Sequence, residues 1–117
     1  MESEQMSRIP ALTESGFERE VIASEVPVIV DYWAPWCGPC RALEPVVEAI
    51  ADEYGDRVKV AKVNVDAEPG LAARAGVLSI PHLVLYRDGV AVAKSGGARP
   101  KHAIVEALSL DEHAIAG

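Results

Sequence analysis

Cys37 and Cys40 are the only cysteines in the chain, two residues apart in the run WAPWCGPC (33–40). A pair so spaced can close a structural cross-link, hold a metal, or exchange electrons as dithiol and disulfide. As a cross-link it is weak. In the chain-entropy model so small a loop stabilises by only about 2 kcal/mol, before any strain is subtracted. As a metal site it is incomplete, because a structural zinc centre takes four Cys or His ligands, usually as two separated pairs. The chain offers one CxxC and three histidines, His82, His102 and His113, none of them in a second paired motif. A metal shared between two chains is the form least readily set aside.

Thiol–disulfide exchange suits the spacing better. VPVIVDYW (26–33) is a β-branched run that reads as a buried strand. Leu43, Val46, Val47, Ile50 and Tyr54 then follow helical spacing up to Gly55. Cys37 therefore falls at a helix N-terminus, where unpaired N–H groups and a partial positive charge favour thiolate over thiol. Cys40 lies about one turn on. The first sulfur is expected to be exposed, the second shielded but within reach, with Gly38 and Pro39 permitting and stiffening the turn. A CxxC near a β-α-β pattern is a redox signature. Asp31, the one charge in the strand, is costly to bury ionised, so its pKa should be raised.

The remaining elements position this pair. Ser15 and Glu18 fit a capping box for a first helix, with Phe17 and Val21 four apart on one face. Pro45 lies inside the helical pattern after the cysteines and is expected to kink it. VKVAKVNVD (58–66) is a second valine-rich strand, and Asp66 is placed to cap a short helix that Gly76 closes. Asp88-Gly89 between HLVLY and VAVAK is a hairpin signal. Pro100 is placed as a first helical residue. The β-α-β unit must be parallel with a right-handed crossover and the hairpin antiparallel, which gives a mixed sheet flanked by helices.

Composition narrows the function classes. The 117 residues suffice for one domain with its own core, expected over 9–117 behind a loose polar tail, 1–8. A net charge of −7 argues against nucleic-acid binding, which needs a basic face. No apolar run is long enough for a membrane span, and MESEQMSRIP lacks the apolar core of an export signal. The expectation is a cytoplasmic protein, where cysteines more often serve redox or metal chemistry than structural cross-linking.

Taken together, VDYWAPWCGPCR, VAKVNVD, SIPHLVLYRDG and GGARPK resemble the thioredoxin family, in order and without insertion over about residues 9–110. The resemblance implies a three-layer α/β/α fold with a central mixed sheet. It implies a protein-disulfide reductase and electron carrier: Cys37 attacks a target disulfide, and Cys40 resolves the mixed disulfide, leaving Cys37–Cys40 oxidised. An NADPH-dependent thioredoxin reductase restores the dithiol. No bound cofactor or metal is implied beyond the redox-active disulfide, and the partners are the reductase and disulfide-containing proteins, with the chain a monomer.

The resemblance also assigns roles around the thiols. Asp31 becomes the proton acceptor for Cys40, against the alternative of a core carboxylate paired with Lys62, which modulates it in either case. Gly38, Pro39 and Pro81 shape the site; Pro81 takes the family's cis position, although an X-Pro bond alone would be read as trans. Trp36, Ile80, Gly97 and Ala98 border the cysteines as a shallow substrate surface, while Trp33 is at least as well read as core packing. His82 departs from the family's usual threonine. It can tune Cys37, offer a metal ligand or face away. Two other readings stand beside this one: a binding module that stabilises an assembly regardless of redox state, and an oxidase or isomerase that uses the same residues. Gly-Pro between the cysteines resembles the reducing members.

Overall fold

The structure is a computed structural model describing residues 9–115. The expected tail, 1–8, lies outside the described residues. Helix α1 (Glu14–Phe17) runs directly into a wider π-helical turn (Glu18–Ile22). It begins one residue earlier than expected, and the capping box is not formed, since Thr13 at the N-cap makes no side-chain cap. The Glu14 N–H donates to Glu68 Oε1 at 3.0 Å, so a carboxylate distant in sequence satisfies the first helix-start donor.

Strand β1 (Val28–Trp33) leads into α2 (Gly38–Tyr54), which continues through Pro45 and stops where Gly55 takes a positive φ. A 3₁₀ turn (Gly55–Arg57) precedes β2 (Lys59–Asn64). The next helix, α3 (Pro69–Ala75), has Glu68 and not Asp66 at its N-cap position, with no side-chain cap. Asn64 displaces the expected cap: its Oδ1 accepts from the N–H groups of Asp66 and Ala67, which holds Asp66 in a turn before the helix. Strands β3 (His82–Arg87) and β4 (Val90–Gly96) form the hairpin, with Asp88 and Gly89 both at positive φ as a tight turn requires. Pro100 is the N-cap of α4 (Lys101–Ala107), and left-handed Ser109 separates a last short helix, α5 (Leu110–His113).

Among the described residues the strands form one sheet in the order β2-β1-β3-β4, parallel between β1 and β2 and antiparallel elsewhere. Strand alternation sends successive side chains to opposite faces. Ile29, Val60, Leu83 and Leu85 pack under Leu43, Val47 and Ile50 of α2 and Ile104 of α4. Val28, Val30, Tyr32, Val63 and Val84 pack against Phe17, Val21 and Leu71 on the other face. The result is the expected three layers. It fixes the site's geometry, because Asp31 shares the parity of Ile29 and so faces α2, the helix that carries Cys40.

Candidate active site

The turn between β1 and α2 builds the centre of the site. Cys37 is the N-cap residue of α2 in extended conformation, and its Sγ accepts from the Cys40 N–H at 3.2 Å. Sulfur thus occupies the place where a serine or aspartate oxygen usually satisfies a helix-start donor, and any charge on it faces the positive end of a helix 17 residues long. Cys37 and Cys40 are joined in a disulfide, with Cα atoms 5.2 Å apart. Both residues are buried, 3% and 5% exposed, packed with Ala34, Trp33, Val65 and Ile80. The expected contrast between an exposed first sulfur and a shielded second is absent in this oxidised state, where both cysteines share one apolar nest.

Asp31 lies beneath Cys40. Its Oδ1 is buried and has no hydrogen-bond partner among the described residues. Burial pushes its carboxyl up to about 7; Lys62, its register partner on β2, pulls the other way, and Glu44 adds a smaller upward push. Desolvation therefore outweighs the lysine. Asp31, Cys40, Glu44 and Lys62 line one cavity of about 270 Å³, walled also by Ile9, Trp33 and Val47. A carboxyl that titrates near neutrality beside a thiol can take a proton or return it at physiological pH. Lys62 also stands over the Trp33 ring, 5.2 Å from its centroid.

The rim is built from three loops. The Ile80–Pro81 peptide bond is cis, and the Pro81 carbonyl accepts from the Gly97 N–H at 2.9 Å, which ties the proline loop to the turn after β4. Ile80 is half-buried against the disulfide, Ala98 is exposed, and Gly97 has φ 85°. Trp36 is 67% exposed, yet its indole Nε1 donates to Asp66 Oδ2 at 2.8 Å.

Comparison with known proteins agrees with this geometry. The family model described as Thioredoxin matches residues 8–110. Thioredoxin 1 of Synechococcus elongatus is 49% identical over 108 residues, which is 92% of this chain and 99% of that protein. The thioredoxin of Porphyra purpurea is 46% identical over 101 residues, 86% of this chain and 94% of its own. Thioredoxin 1 of Nostoc sp. is 47% identical over 103 residues, covering 88% and 96%. The chain belongs to the thioredoxin family. It is a thiol–disulfide oxidoreductase whose redox-active pair is Cys37–Cys40.

Thioredoxins work with thioredoxin reductase and with disulfide-bearing proteins. Among the described residues, no cluster of His, Cys, Asp and Glu could hold a metal ion, and no helix is long and apolar enough to cross a membrane.

His82, a position where the sequence departs from the thioredoxin pattern, points away from this chemistry. It shares the parity of Val84 and Tyr86 and so lies on the sheet face opposite Asp31. Its ring packs near Gly96 in a groove with Gly76, Val84, Val92 and Lys94. Burial and then Lys94 lower its pKa, so the ring is neutral at pH 7.

Three features escaped the sequence. The Trp36–Asp66 hydrogen bond spans 30 residues and needs the fold to be seen. Tyr32 and Tyr86 share a buried hydrogen bond of 2.9 Å, for which their common parity in β1 and β3 was the available signal. Glu44 on the cavity wall was legible as the residue four after Cys40, one helical turn along the same face.

Proposed function

We propose that this chain is a cytoplasmic, monomeric thioredoxin, one domain over residues 9–117, that reduces disulfides in other proteins and is itself re-reduced by an NADPH-dependent thioredoxin reductase. Cys37 is the nucleophile and Cys40 the resolving thiol. As thiolate, Cys37 attacks one sulfur of a target disulfide; a Cys37–target bond forms, the target S–S bond breaks, and the departing target sulfur takes a proton. Cys40 then loses its proton to Asp31 and attacks Cys37 Sγ. The Cys37–Cys40 bond forms, the mixed disulfide breaks, the second target sulfur leaves as thiolate and takes a proton from water, and the target departs as a dithiol. Two electrons have passed from the pair to the target.

The observation that carries the reading is the shared position of Cys40 and Asp31 on one cavity, with a buried carboxylate oxygen that has no hydrogen-bond partner among the described residues. Lys62 modulates Asp31 from the neighbouring strand, while Gly38, Pro39 and Pro81 hold the geometry. Trp36, Ile80, Gly97 and Ala98 form the surface on which an extended target segment lies. Insulin reduction coupled to NADPH oxidation through a thioredoxin reductase tests it. Turnover is expected from wild type; none from protein whose disulfide is intact and reducible by dithiothreitol would overturn the proposal.

A further inference from the structure

Glu44 stands one helical turn after Cys40, and its side chain lines the cavity that also holds Asp31 and Cys40. Unlike Asp31 it is only half-buried, so the cavity has a carboxylate deep on its sheet wall and another toward solvent on its helix wall. The charged groups around Asp31 are then Lys62 from β2, and Arg41, Glu44 and Glu48 from α2; β3 presents apolar Leu83 as its register partner. Arg41 is turned to the Pro35 carbonyl, to which its guanidinium donates. Of the two glutamates, Glu44 is the one whose charge reaches Asp31, against Lys62.

We propose that Glu44 is a positioning residue for the proton step, acting on the Cys40 thiol through Asp31 across the cavity they share. The inference rests on Asp31 being the proton acceptor. When Cys40 attacks, its proton passes to the Asp31 carboxylate, and the acid so formed must lose that proton before the next cycle. Lys62 favours the ionised carboxylate and Glu44 the protonated one. With both present, Asp31 takes and releases its proton near neutral pH; with Lys62 alone, it holds the proton less well when Cys40 needs to be rid of it. Glu44 therefore moves the pH range of the resolving step upward, on top of the larger effect of burial.

The test is a titration of the Asp31 carboxyl carbon by ¹³C NMR in the oxidised protein, where neither cysteine ionises, for wild type, Glu44→Gln and Glu44→Asp. Losing one nearby anionic charge should weaken proton binding at Asp31 about threefold in Glu44→Gln. Its insulin-reduction profile should move to lower pH by the same factor, and Glu44→Asp should restore most of both. An Asp31 titration in Glu44→Gln that coincides with wild type, in a protein of unchanged Tm, overturns the role of Glu44. The underlying reading fails differently: Asp31→Asn would then keep the wild-type pH profile.

Discussion

Asp31 and Lys62 are register partners across the parallel β1–β2 pair, and both side chains line the cavity that reaches Cys40. Even with a lysine one strand away, the carboxyl titrates near 7 and not near 3.8, because removing it from water costs more than the lysine returns.

That inequality predicts a pH-dependent stability. Between about pH 4 and 7 the folded protein keeps the Asp31 proton that the unfolded chain has lost. Stability from this site is therefore fully present below pH 4, falls as pH rises, and has been lost above 7. The loss is up to about 4 kcal/mol. Asp31→Asn removes the titration, so its unfolding free energy should exceed that of wild type at pH 8 and approach it at pH 4. Urea unfolding at pH 4, 6 and 8 measures this; a difference independent of pH would contradict it.

The same substitution should act on the chemistry in the opposite sense. Without the Asp31 carboxylate, Cys40 loses the buried base of its cavity, and resolution slows by about tenfold or more at pH 7. The insulin-reduction profile of Asp31→Asn should lose the limb near pH 7 while KM changes little.

On the other face of the sheet, Tyr32 and Tyr86 bond to each other at 2.9 Å in a buried setting. Tyr86→Phe strands the Tyr32 hydroxyl and should cost about 1–3 kcal/mol. The double variant Tyr32→Phe/Tyr86→Phe should cost less than the two single changes summed, since no hydroxyl is left unpaired. Chemical denaturation of the four proteins supplies the cycle, and insulin reduction should be unchanged in all of them.

Trp36 offers a third face to exposed chemistry. Asp66 fixes the indole by a hydrogen bond of 2.8 Å at a largely exposed position. Asp66→Ala should leave Tm within about 2 °C, because exposed polar pairs contribute little to stability. It should raise KM for a protein disulfide a few-fold while leaving reduction of a small disulfide unaffected. Equal effects on both substrates would remove Trp36 from target binding.

Much of this was readable from residue order. The valine-rich strands, the helix ending at Gly55 and the Asp88-Gly89 turn follow from local periodicity and φ preferences, and the structure has them within about two residues. The failures share one cause. At Ser15 and Asp66 a local capping pattern was present, but the Glu14 N–H found Glu68, 54 residues on, and the Asp66 N–H found Asn64, two residues back. Helix starts are decided by whichever oxygen arrives, and sequence spacing shows only the nearest. In the site, Cys37, Cys40 and Asp31 were legible because each is chemically out of place in its surroundings. Nothing in HLVLY indicates whether His82 turns toward the thiols or away. Strand parity decides it, and parity depends on where β3 begins.

The division of labour between the two sulfurs is the central claim, and trapping tests it most directly. Cys40→Ser and Cys37→Ser, each reduced and incubated with a disulfide-bearing protein, are separated without reductant and the cross-linked peptides sequenced. Cys40→Ser should accumulate a stable mixed disulfide through Cys37, and Cys37→Ser should form none at a comparable rate. Cross-linking through Cys40 in Cys37→Ser as fast as through Cys37 in Cys40→Ser would contradict the account.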